Sequence, residues 1–231
     1  MRFDSVRIQV SDLGQAVGQY ELLLGVQTYL LDDGTQRFQL GRGAVELVEG
    51  EPGLHSLRFA ATDPTEAPWP CASDAFHGLC VRVGPPLDVP ALEISDDAAN
   101  AIDHVVVHSP DLDRALALWR DRLRLRLALD REFPARGLRI LFFRSGGITL
   151  EFVGMLPQPA TAAGPDRLYG VAYQVRDLDA YRARLLRNGV DVGAIRPGHN
   201  PGTSVVTVRT GTAGIPTLLL STRTKPDSHG Q

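Results

Sequence analysis

Two side chains stand where chemistry is easier to explain than packing. His104 lies in the run Ile102-Asp103-His104-Val105-Val106-Val107, and Glu151 lies in Ile148-Thr149-Leu150-Glu151-Phe152-Val153. Both runs read as strands, and an isolated carboxylate costs several kcal/mol to bury, so each group needs a partner or a pocket. Alternation puts His104 on the face of Ile102, Val106 and His108. The plainer alternatives are a core histidine bonded to backbone, and a Glu151 paired with Arg139 or Arg144 on the neighbouring predicted strand. Imidazole and carboxylate together suit proton transfer, and they also suit ions such as zinc, iron, nickel or manganese.

Further candidates surround this pair. The turn-rich stretch Arg196-Pro197-Gly198-His199-Asn200-Pro201-Gly202 reads as a lid touching ligand through His199 or Asn200, with an ordinary hairpin as the alternative. Phe142, Phe143, Tyr169 and Tyr173 offer an aromatic wall, although aromatics on alternating strands are more often core.

Composition removes several chemistries. The 231 residues carry 24 basic and 27 acidic side chains, a net charge of -3, and only one of the basic residues, Lys225, is a lysine. It sits in a polar tail, which excludes a Schiff-base lysine and a phosphate-loop lysine inside the fold. The scattered arginines give no footprint for nucleic acid. Gly41-Arg42-Gly43 lacks the third glycine and the helix of a dinucleotide site, and no G-x-S-x-G elbow occurs. No apolar run approaches the roughly 20 residues of a membrane span. No secretion leader is read at the N-terminus, and a cytoplasmic location is expected. Cys71 and Cys80 do not form a C-x-x-C pair and are expected as free thiols.

The elements that position these residues repeat along the chain. Phe3-Asp4-Ser5-Val6-Arg7-Ile8-Gln9-Val10-Ser11-Asp12-Leu13 aligns with Ile102 to Leu112 and with Gly170 to Asp179. Each copy is an extended apolar run, an Asp-Leu pair, then a helical pattern. In the middle copy Ser109 is the expected cap, Pro110 the opening residue, and Leu112, Ala115, Leu116, Trp119 and Leu123 the buried stripe. In the last copy Leu178, Tyr181 and Leu185 repeat the spacing, and Asn188-Gly189 supplies the stop. Gly14 and Gly18 weaken the first helix. Paired strand-like runs follow each helix, at 37–40 and 45–49, 139–143 and 148–153, and 204–209 and 217–221. A degraded fourth unit starts near His55, with a proline-rich stretch at 63–74 in place of its helix.

Ile102-Asp103-His104-Val105-Val106-Val107, followed by Pro110-Asp111-Leu112 and Gly147-Ile148-Thr149-Leu150-Glu151-Phe152-Val153, resembles a module of the vicinal oxygen chelate superfamily. That superfamily includes glyoxalase I, extradiol dioxygenases and bleomycin and fosfomycin resistance proteins. The resemblance implies an α+β fold of tandem βαβββ modules, forming cup-shaped curved mixed sheets with helices packed outside. It implies an N-terminal domain over 1–95 with a degenerate second module, a C-terminal domain over 101–222, and a disordered tail over 223–231. A divalent metal (Fe, Mn, Ni or Zn) would bind through a first-strand residue and a last-strand residue. Those positions are Ser5 and Glu46, His104 and Glu151, and Gly170 and Leu218 in modules one, three and four. The second module has His55, with Glu93 the only acidic residue near its end.

Module pairing decides the ligand set. If the inner modules pair, His55, His104 and Glu151 form two histidines and a carboxylate; if modules pair in chain order, each cup falls short of a full set. Two functions follow from the resemblance. One is a metal-dependent lyase, isomerase or dioxygenase acting on a small molecule with vicinal oxygens, with Glu151 catalytic. The other is a metal-free protein that sequesters a small molecule, favoured by Gly170 and Leu218. Neither requires a membrane or nucleic-acid partner, and a homodimer is compatible with both.

Overall fold

The computed structural model describes residues 1–61, 73–89, 95–158, 164–199 and 201–222. Glu93, Cys71, Asn200 and the segment 223–231 lie outside them. The strands of the described residues form two curved mixed sheets. The first holds β1 (Arg2–Val10), β2 (Tyr29–Leu30), β3 (Gln36–Gln39), β4 (Ala44–Glu49), β5 (Gly53–Ala60) and β6 (Cys80–Gly84), in the order β2-β3-β4-β1-β5-β6. The second holds β7 (Ala101–His108), β8 (Arg126–Phe133), β9 (Leu138–Ser145), β10 (Ile148–Met155), β11 (Arg167–Gln174), β12 (Arg196–Pro197), β13 (Thr203–Val208) and β14 (Thr217–Thr222). Its order is β12-β13-β14-β11-β7-β10-β9-β8.

Within each sheet the repeat is visible in the pairing. The first strand of a unit lies parallel to its last, as β1 with β4, β7 with β10 and β11 with β14. The first strands of successive units then meet antiparallel, β1 with β5 and β7 with β11. Modules therefore pair in chain order, and His55 on β5 belongs to a different sheet from His104 on β7. The inner-module triad of His55, His104 and Glu151 is not assembled.

The Asp-Leu pairs mark helix starts. Asp12, Asp111 and Asp177 each cap a helix, accepting a hydrogen bond from the backbone N–H of Gln15 (2.8 Å), Arg114 (2.9 Å) and Ala180 (2.9 Å). The helices are α1 (Leu13–Leu24), α2 (Leu112–Ala115) and α3 (Leu178–Arg187). Asp111 takes the capping role expected of Ser109, whose hydroxyl instead donates to Asp166. After its first turn α2 continues as a π-helical stretch, Leu116–Arg122. The wider turn brings Leu118, which lies off the expected stripe, into the core beside Trp119. Gly25 and Gly189 close α1 and α3 with left-handed backbone.

Helices lie against the convex faces of the sheets, and those faces share one apolar core. Trp119, fully buried, packs its ring against Phe59 of the first sheet, Phe152 of the second, and Phe76. Tyr20 on α1 donates to the Thr212 carbonyl, and Tyr181 on α3 donates to the Leu23 carbonyl. Each tie joins an element of one half to the other. Cys80, expected as a free thiol, is disulfide-bonded; the spacing argument excluded only a C-x-x-C pair and not a bond across a longer loop. Among the described residues no helix is long and apolar enough to cross a membrane.

Candidate functional site

The concave face of the second sheet is set by one extra residue in β7. Ala172 lies opposite His104 and Tyr173 opposite Ile102, so the register slips at Asp103. A bulge of this kind puts two consecutive residues on one face. Ile102 and Val105 consequently both enter the core, while Asp103 and His104 both join the cup. This corrects the simple alternation that placed Ile102 beside His104. It also removes Tyr173 from the pocket: paired with Ile102, its ring is fully buried on the convex side.

His104 and Glu151 meet in this cup. Glu151 pairs in register with Val106 on β7 and Phe142 on β9, and its Oε1 lies 3.9 Å from His104 Nδ1. The same Nδ1 lies 2.8 Å from Asp103 Oδ2, which accepts a hydrogen bond from it. Both chemical groups are mostly covered, with 14% of the His104 side chain and 23% of Glu151 exposed. Burial pushes the Glu151 carboxyl above its ordinary value, an effect the His104 imidazole opposes but does not cancel. For His104 burial acts downward, yet the Asp103 hydrogen bond and the Glu151 charge outweigh it, so the imidazole holds its proton more tightly than usual. Arg139, an expected ion-pair partner of Glu151, instead forks onto Asp130 and pairs with Asp113.

Phe142 lies opposite Glu151 in the ladder and is half-buried, whereas Phe143 is core. Gly170 and Leu218 bring no donor from the fourth module. A Cβ on Gly170 would sit 2.6 Å from the Pro216 carbonyl oxygen, so backbone packing forbids a side chain there. Strands β12 and β8 are the two edges of the sheet, and its curl brings His199, just beyond β12, to 5.2 Å edge-on from the Phe133 ring at the end of β8. His199 also acts electrostatically on Glu151. Within the segment expected as a lid, Arg196 and Pro197 pair with β13 in antiparallel fashion.

Farther along β7 and β10 the same face opens into a cavity of about 390 Å³, lined among others by His108, Leu138, Val153, Met155 and Arg167. Tyr169, at a second bulge in β11, stacks on His108 with centroids 4.2 Å apart. The sequence reading missed Asp103 and Arg167. Asp103 was legible in principle, since the repeat places Asp4 and Asp103 at equivalent positions before Ser5 and His104.

Of the positions that the resemblance assigns to metal ligands, the cup has donors at two, His104 and Glu151, and Gly170 and Leu218 at the others, while the Asp103 carboxylate is engaged by His104 Nδ1. Among the described residues no group of three His, Cys, Asp or Glu is placed to hold an ion. This donor set does not fit a catalytic site with three protein ligands.

Residues 103–207 match the family model described as Glyoxalase/Bleomycin resistance protein/Dioxygenase superfamily. Among solved structures, methylmalonyl-CoA epimerase from Mycobacterium tuberculosis is similar at 21% identity, covering 53% of this chain and 88% of its own, with a TM-score of 0.44. Another methylmalonyl-CoA epimerase is similar at 21% identity, 53% and 95% coverage and a TM-score of 0.45. A hypothetical protein from Bacillus halodurans C-125 is similar at 18% identity, 55% and 96% coverage and a TM-score of 0.44. No curated protein sequence matches the chain.

Proposed function

We propose that the second cup, whose residues 103–207 match the model described as Glyoxalase/Bleomycin resistance protein/Dioxygenase superfamily, binds a small molecule with adjacent oxygens and moves a proton on it. The observation that carries the reading is the juxtaposition of Glu151 and His104 on adjacent strands of a covered face, 3.9 Å apart. Glu151 is the base. Its raised affinity for protons brings it nearer to matching a weakly acidic C–H beside a carbonyl. As that C–H bond breaks, the Glu151 O–H bond forms and the electron pair moves onto the substrate oxygen. His104, kept protonated by Asp103, stabilises that oxygen's charge. Return of the proton to carbon completes an isomerisation; departure of a neighbouring group completes an elimination.

No step here is routed through a metal, because the donors among the described residues do not make up a three-ligand site. Oxygen activation, which calls for a redox ion on such a set, finds no support from these residues. The cavity lined by His108, Val153, Met155 and Arg167 would take the remainder of the substrate, with the guanidinium of Arg167 suited to an anionic end.

A second reading is supported by Gly170 and Leu218, which leave the floor of the cup smooth and apolar: the protein would sequester its ligand without turnover. One experiment separates the two. Small hydroxy-carbonyl and carboxylic compounds are screened by thermal shift, and each stabilising compound is incubated with the protein in D2O and followed by proton NMR. Proton transfer predicts deuterium at the carbon beside the carbonyl, with exchange lost in Glu151→Gln while the thermal shift persists. Stabilising compounds that never exchange would instead establish sequestration.

A further inference from the structure

The first sheet presents a second concave face, and its chemistry is unlike that of the first site described. Ser5 and Glu46 occupy the positions equivalent to His104 and Glu151, and the Ser5 hydroxyl donates to Glu46 Oε1 at 2.8 Å. Three guanidinium groups converge on the same carboxylate. Arg37 donates to Oε1 at 2.8 Å, while Arg7 and Arg82 donate to Oε2 at 3.0 Å and 2.7 Å. A fourth, Arg58, joins Arg37 on Asp4 and also donates to the Pro85 carbonyl.

Among the described residues the charges do not balance. Four guanidinium groups, Arg7, Arg37, Arg58 and Arg82, face two covered carboxylates, Asp4 and Glu46, which leaves two positive charges. Asp33 offsets one of them only weakly, from 3.5 Å at the rim with 59% of its side chain exposed. His55, beside Arg7 and Arg82, adds no negative charge; burial and both guanidinium groups favour its neutral form. Surplus like charge in a partly buried place is unfavourable unless an anion shares it. Of the four, Arg37 is sealed in at 1% exposed, whereas Arg7 and Arg82 keep 18% and 22% of their side chains open to solvent. Glu46 pins both to a single oxygen, so their free edges are held together at the surface. Paired, pre-positioned guanidinium groups with limited hydration match the geometry of carboxylate and phosphate oxygens.

We propose that the concave face of the first sheet is a second ligand site, for the oxyanion group of a small molecule, with Arg7 and Arg82 as the binding pair and Glu46 as the residue that positions them. The repeat that yields a proton-transfer pair in one cup yields an anion receptor in the other. Phosphate and carboxylate share the required chemistry, and the test distinguishes them.

Thermal unfolding of the full chain is measured against inorganic phosphate and, separately, succinate, with sodium chloride at matched ionic strength as the reference. The expected result is a saturable rise in Tm with at least one of the two anions beyond the chloride series, and the stronger of them identifies the preferred group. Arg82→Gln and Arg7→Gln are expected to weaken that anion roughly tenfold or more, the consequence of losing a charge-assisted partner. Arg120→Gln, at an exposed arginine paired with Asp121 and outside both cups, should leave it unchanged. The proposal is overturned if neither anion exceeds chloride, if both arginine variants bind as tightly as the parent, or if the response is lost in Arg120→Gln instead. Should Arg82→Gln fail to fold, Arg7→Gln and the parent titration decide the matter alone.

Discussion

Replacing Glu46 by glutamine isolates the electrostatics of the first cup, because the shape is nearly kept and the charge is removed. In the parent, Glu46 is 1% exposed and accepts from Ser5, Arg7, Arg37 and Arg82 at 2.7 to 3.0 Å. Removing one partner of a buried ion pair costs about 3 to 5 kcal/mol. Two of the three arginines retain some solvent and the glutamine oxygen keeps one or two of the hydrogen bonds, so about 2 to 3 kcal/mol is expected. For a chain of this size that is a fall in Tm of roughly 4 to 12 °C at pH 7. The pH dependence fixes the mechanism. Burial acts to raise the Glu46 carboxyl, but Arg82, Ser5 and Arg7 outweigh it and hold it below the ordinary 4.5. A depressed folded value means that its stabilisation is present above pH 4.5 and is lost as pH falls through the lower folded value. Urea unfolding of parent and Glu46→Gln from pH 7 down to pH 3 should therefore show the gap closing in acid. A variant as stable as the parent at pH 7, or a gap that does not depend on pH, would refute the reasoning.

Glu151 behaves in the opposite sense. Its folded carboxyl is raised by burial, so the ionised form destabilises the protein as pH rises above 4.5, and Glu151→Gln should be more stable than the parent at pH 7 while losing deuterium exchange; urea unfolding checks the first and NMR the second. Trp119→Ala removes the ring that joins both sheets and should cost about 3 to 5 kcal/mol, read from the chemical denaturation midpoint. Gly170→His, which would restore a donor at the fourth-module position, meets the Pro216 carbonyl 2.6 Å from its Cβ. It should lose about 1 to 3 kcal/mol and gain no affinity for zinc or manganese in a calorimetric titration.

Much of this architecture was legible because it repeats. The Asp-Leu pairs announced three helix starts, and the runs ending at Glu49, Val153 and Ser221 mark the last strand of three units. Strand β8 was not legible: its residues Arg126–Phe133 are almost all exposed, so an edge strand left no alternation to read. Nor was the bulge at Asp103, since period-two reasoning has no means of placing an extra residue, and that single residue moved Ile102 and Tyr173 into the core. His104 and Glu151 could be named from sequence because polar groups in apolar runs stand out. The arginine cluster could not, because Arg7, Arg37, Arg58 and Arg82 are far apart in the chain and are gathered only by the strand order β3-β4-β1-β5-β6. His55 was misplaced for the same reason, as pairing order is a property of the sheets and not of any one run.

The most direct measurement on the second cup is the titration of the His104 ring by proton-carbon NMR in the parent, Asp103→Asn and Glu151→Gln. The account predicts a parent imidazole that titrates above 6.5 and a lower value in each variant, because both carboxylates hold its proton against the opposing effect of burial. A His104 that titrates at or below 6.5, or that is indifferent to the loss of Glu151, would contradict the claim that these two residues work as a coupled acid and base.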